Sequence, residues 1–220
     1  MSKKLVWDQV GQKTYETGVK NGVFYAMDNS GAYPKGVAWN GLTKVSEKPT
    51  GAETTDLFAD DAKYLSLQSA EKFEASVEAY TYPDEFAECD GSANITEGVS
   101  IGQQSRKTFG MSYVTTVGND IQNNSYGYKI HLIYGALASP SEKGYATIND
   151  SPEAITFSWE LKTTPVAVSG FKPTASLVID STKVSEAGMK AIEDVLYGTE
   201  STEARLPLPD EVKSIIESAA

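Results

Sequence analysis

Two stretches of the chain alternate between apolar and polar positions. In 73–80, Phe73, Ala75, Val77 and Ala79 face one way and Glu74, Ser76, Glu78 and Tyr80 the other. In 153–161, Ile155, Phe157, Trp159 and Leu161 form an apolar row against Ala154, Thr156, Ser158 and Glu160. Side chains leave a strand alternately on its two faces. A period of two therefore marks antiparallel strands with one face on a core and one in water. The stretch 126–134 repeats the pattern, with Tyr128, Ile130, Leu132 and Tyr134 inward and Lys129 and His131 outward. Shorter β-type runs at 5–10, 22–27, 36–45, 110–117 and 174–180 bring the expected set to at least seven strands. The turn signals KNG (20–22), DNSG (28–31), YPKG (33–36) and EKPTG (47–51) are expected to separate the early ones.

Helical patterning is scarce. Pro83 opens a short helix over 83–91, with acids in its first turn and Gly91 as its stop. A firmer helix spans 185–197: Ser185 caps it, Met189, Ile192, Val195 and Leu196 make its apolar stripe, and Gly198 closes it. The stretch 46–70 has no firm period and reads as a long loop away from the sheet. The ends read as arms, 1–10 and 199–220, the second with Leu206 and Leu208 alternating with Pro207 and Pro209 and a small amphipathic helix from Asp210. The expected organisation is one β-rich domain over 11–198, a β-sandwich or flattened barrel with one flanking helix, a long loop and two extended arms.

Composition narrows the function. At 220 residues the chain can bury a core without disulfides or structural metal. Thirty acids against nineteen bases give −11, and only Arg106 and Arg205 are arginine, a poor basis for gripping nucleic acid. The single cysteine, Cys89, rules out an internal disulfide framework and fits a reducing compartment. The start carries two lysines without an apolar core for a signal peptide, and 130–138 is too short to span a bilayer. A cytosolic product without membrane association is expected.

Candidate chemistry is thin. One histidine, His131, on the wet side of a strand reads as an exposed side chain, and no GxSxG elbow accompanies it. Acids around Cys89 disfavour a thiolate. Residues 86–97 imitate a calcium loop through Glu88, Asp90, Gly91, Asn94 and Glu97, but Phe86 stands where the first carboxylate belongs. Asp60 and Asp61 read as an exposed bend. Glu74 and Glu78 lie roughly 13 Å apart along one strand face, wide for paired glycosidase carboxylates. Trp7, Trp39 and Trp159 could form a sugar-stacking platform, although Trp159 belongs to an apolar row. Catalytic, cofactor and metal sites are not expected. A carbohydrate-binding module or β-sandwich hydrolase stays as the alternative.

Five long strings then weigh together: 42–67, FEASVEAYTYPDEFAECDG (73–91), 101–120, 126–168 with NDSPEAITFSWE inside it, and 171–184. They closely resemble the major tail proteins of long-tailed siphophages, in particular the phi13-type family. The likeness weakens in the first forty residues and after about 198. The resemblance implies a tail tube protein that forms hexameric rings with a joined β-lined channel. It implies stacking of those rings, with a tape measure protein, tail terminator and distal tail protein as partners, and transient non-specific passage of double-stranded DNA. The implied location is the virion tail, assembled in the bacterial cytoplasm. A tail terminator is the nearest variant of this reading. Within it, the wet strand faces with Glu74, Glu78, Thr156, Ser158 and Glu160 are expected to line the lumen. Lys48, Thr50, Glu53, Asp56, Phe58 and Asp60 of the long loop, with Leu206, Leu208 and Ile215 of the C-terminal arm, are expected to meet neighbouring rings or subunits.

Overall fold

The computed structural model describes residues 4–148, 150 and 153–219, so residues 1–3 of the expected N-terminal arm and Ala220 of the C-terminal one lie outside it. The fold is mainly β and its strand pairs are antiparallel. The main sheet is built from β1 (Thr14–Ala26), β2 (Gly36–Trp39), β3 (Leu42–Gly51), β6 (Glu71–Ala79), β9 (Phe109–Asn119), β10 (Asn123–Ala138) and β11 (Phe157–Thr163). Their order is β2-β1-β9-β10-β11-β6-β3, and β12 (Ser176–Asp180) also pairs with β10.

This sheet folds over at β10. Lys129–Ile133 pairs with β12, whereas Ala136–Ala138 pairs with β11. Between them the ladder to β9 shifts register from Ile133 to Ala136, and Gly135 sits at φ 59°. A Cβ at Gly135 would collide with the Thr164 carbonyl, so the bulge requires glycine. The fold-over gives a sandwich-like pair of β layers that does not close into a barrel: β2-β1-β9-β10-β12, and β11-β6-β3.

Two cores follow from strand parity. Between the β layers lie Phe24, Trp39, Val77, Phe86, Phe109, Met111, Ile133, Trp159 and Leu161. On the other face of the first layer, Tyr25, Val114, Ile130, Leu132, Tyr134 and Ile179 pack against helices α1 (Glu186–Tyr197) and α2 (Pro209–Ser218). Helix α1 starts as the sequence predicts: Ser185 Oγ accepts from Gly188 N at 3.1 Å. It buries Met189, Ile192 and Leu196, each worth about 2 kcal/mol. The helix expected at 83–91 is a 3₁₀ turn over Asp84–Glu88 that buries Phe86.

Several expectations need correction. The KNG signal does not end a strand. It is a bulged region inside β1, with Asn21 at φ 52°. The run 5–10 is no strand. The EKPTG signal lies inside β3, whose position at the sheet edge lets Pro49 sit without costing a ladder bond. The strand expected from 153 begins at Phe157, leaving Ile155 and Thr156 before it and exposed. The 46–70 loop is largely β: the end of β3, a hairpin of β4 (Thr54–Ala59) and β5 (Ala62–Gln68), and the run into β6.

The C-terminal arm is part of the domain, which therefore carries two helices. Leu206 N donates to the Tyr33 carbonyl at 3.1 Å, and Tyr134 Oη donates to the Pro207 carbonyl at 2.9 Å. Leu206 fills space over Gly110, where any Cβ would collide with it. Arg205 grips Glu211 through its two terminal guanidinium nitrogens at 2.5 and 2.9 Å. Leu206 is thus buried and Ile215 packs on the helical core, so neither is free for a neighbour, whereas Leu208 stays exposed.

Candidate assembly surfaces

The outer face of β3-β6-β11 gathers most of the residues expected at the lumen. Register sets Lys44, Glu78 and Ser158 in one row, Ser46, Ser76 and Glu160 in the next, and Lys48, Glu74 and Lys162 in the third. Lys44 pairs with Glu78 at 3.3 Å and Lys48 crosses to Glu160 at 2.8 Å. Glu74, Glu78, Ser158 and Glu160 therefore share one face, and Thr156 lies just outside the strand. That face is charge-balanced rather than acidic, with three lysines matching three glutamates. Lys48 was overlooked because its half of β3 reads as loop, and Lys162 because it lies one residue beyond the expected strand.

The β4–β5 hairpin projects from the sandwich, and every residue in its strands is exposed. Asp60 and Asp61 form its two-residue turn with φ of 52° and 60°, the geometry that matches strand twist in a tight hairpin. Leu57 faces Leu65 and Thr55 faces Leu67, so one side is apolar. The opposite side holds Asp56, bonded to Lys63 at 2.8 Å and Ser66 at 2.5 Å. Near the tip, Phe58 is 70% exposed and Tyr64 72%. A lone two-stranded hairpin is marginal in water, so this apolar side lacks the cover that would fix it. Lys48, Thr50, Glu53, Asp56, Phe58 and Asp60 are all exposed here.

Two other apolar exposures were not anticipated. A second hairpin, β7 (Ala93–Thr96) with β8 (Val99–Ile101), exposes Ile95, Val99 and Ile101. The N-terminal segment exposes Leu5, Val6, Trp7 and Val10, tethered where Gly11 N donates to Asp120 Oδ1 at 3.0 Å. Their signal is apolar residues in short segments with no helix or sheet face to pair with.

The remaining candidates resolve into structure. Asp90 is a buried hub: it accepts from Trp159 Nε1 at 3.0 Å, pairs with Lys143, and lies 3.5 Å from Arg106 Nη1. Glu88 pairs with Lys107. Two carboxylates of the calcium-like run, Glu88 and Asp90, are engaged in this way, and among the described residues no group of three His, Cys, Asp or Glu could hold a metal. Burial, then Glu88, pushes the Cys89 thiol up to about 12, far from a nucleophile's range. Trp39 and Trp159 meet 5.5 Å apart in the core, away from any sugar.

His131 is not the exposed residue expected, since its side chain is only 12% exposed. Its Nε2 meets Thr115 Oγ1 at 2.9 Å, and Glu47 Oε1 lies 3.5 Å from Nδ1, which resembles a nucleophile–base–acid row. The Thr115 hydroxyl, however, donates to Glu16 at 2.5 Å, so the ring is not placed to deprotonate it. A cleft of about 1320 Å³ between α1 and the start of β10 is lined elsewhere, by Lys20, Tyr126, Tyr128, Glu186, Met189 and Glu193. No helix among the described residues is long and apolar enough to cross a membrane. The chain matches no protein-family model and no curated protein.

Proposed function

We propose that this protein is a structural subunit that self-assembles into hexameric rings, stacked as the tail tube of a long-tailed bacteriophage. The observation that carries the reading is the β4–β5 hairpin: a fully exposed β arm, apolar on one side, on an otherwise well-packed sandwich. Exposed apolar surface of that kind marks an interaction site. Topology supports the choice of channel face. The first β layer is covered on both faces by its own chain, so the outer face of β3-β6-β11 is the broad sheet face left free to line a lumen. The edge strands β2 and β3 each pair with one strand only, and ring closure would bring a second strand to those edges. A structural role also accords with the engaged state of Asp90, Cys89 and His131.

Sedimentation across a concentration series tests this. Species near six times the monomer mass, or larger, are expected. A strictly monomeric protein at every concentration, or one that binds glycans as a monomer, would overturn the proposal.

A further inference from the structure

Strand β3 carries the hairpin, and a polar cluster from four strands fastens it to the first layer. Glu47 on β3 accepts from Tyr113 Oη at 2.7 Å, and its Oε1 lies 3.5 Å from His131 Nδ1, an ion-pair approach that completes no hydrogen bond. The ring stacks on Tyr113 with centroids 4.6 Å apart and planes 6° from parallel. Its Nε2 lies 3.3 Å from Glu16 Oε1 on β1. Glu16 Oε2 holds Lys129 Nζ at 2.6 Å, and Asp180 on β12 acts on that lysine electrostatically. Two carboxylates from different β layers thus face one imidazole, one phenol and one ammonium.

We propose that this cluster is an acid-sensitive clasp that holds β3, and with it the base of the β4–β5 hairpin, against β9 and β10. Neutralising Glu47 removes the negative charge that faces the ring and weakens its acceptance from Tyr113 Oη. His131 beside it holds the Glu47 carboxyl below its ordinary value, against the opposing effect of burial, with Tyr113 helping. Partial burial pushes Glu16 up, but Lys129 and Thr115 outweigh it and its carboxyl is also lowered. Carboxyls lowered by folding stabilise the fold above the ordinary carboxylate range. That contribution is lost as pH falls through their folded values, so acid opens the clasp. The consequence for assembly rests on the tube reading: a hairpin on a loosened strand stacks poorly, and tubes disassemble on acidification.

Amide hydrogen exchange on the unassembled protein tests the clasp without requiring tubes. Glu47→Gln keeps the side chain's size and removes its charge. At pH 7 it should lower the protection of 42–51 by about tenfold or more, while β9, β10 and α1 keep theirs. Wild-type protein, corrected for intrinsic exchange rates, should lose protection in 42–51 first as pH falls into the carboxylate range. Unchanged protection in Glu47→Gln would overturn the clasp. If that variant unfolds, the wild-type titration decides: loss in 42–51 ahead of the other strands supports the clasp, and simultaneous loss everywhere overturns it. Failure to form tubes at any pH would count against the tube reading and leave the exchange result standing on its own.

Discussion

Asp90 shows how a residue that looks like a ligand can be part of the scaffold. Its carboxylate serves an indole, an ammonium and a guanidinium drawn from sequence positions far apart, and sequence spacing gives no sign of that convergence. Removing one member of a buried charged network strands the others. Asp90→Ala should therefore cost about 3 kcal/mol, read as a lower urea midpoint; an unchanged midpoint would show the hub to be idle. Cys89, in contrast, was read correctly from its acidic neighbours, with burial adding the larger share. It should resist thiol reagents at pH 8 until denaturant is added. Rapid labelling of native protein would contradict the burial described here. His131 was misread because alternation says which face a residue lies on, not whether a second β layer covers that face.

At the scale of elements, legibility followed the simplicity of each burial. Strand β6, with one buried row, and α1, with its cap and stripe, are plain in the sequence. Strand β10 is buried on both faces, and the switch between them at Gly135 depends on a distant carbonyl. The hairpin escaped detection because both its strands are wet, so no alternation between core and water marks them. Replacing Thr54–Gln68 with a short turn should leave the urea midpoint of the domain nearly unchanged and abolish tubes. Normal tubes from that deletion would remove the hairpin from assembly. The C-terminal segment carries the opposite expectation. Leu206→Ala should destabilise the monomer by about 3 kcal/mol, because the side chain fills a pocket in its own chain. Equal exchange protection of 205–217 in monomer and assembly is expected for the same reason, and protection gained only on assembly would contradict this packing.

At the scale of the whole molecule, charge is unevenly distributed. Residues 180–220 hold nine acids against four bases, whereas the outer face of β3-β6-β11 is balanced as a whole, three lysines against three glutamates. On the proposed reading, DNA would pass a neutral, lysine–glutamate-locked surface, and the acidic helices would lie away from it. Replacing Glu74 and Glu78 together with lysine should leave the fold intact and create salt-sensitive DNA binding by assembled protein, measured by co-sedimentation. No binding at low salt would place this face elsewhere. The central claim is self-assembly, and electron microscopy of the purified full-length protein addresses it most directly. Stacked rings with an open axial channel are the predicted image. Uniform isolated particles of monomer size, under conditions where the protein is folded and concentrated, would contradict it.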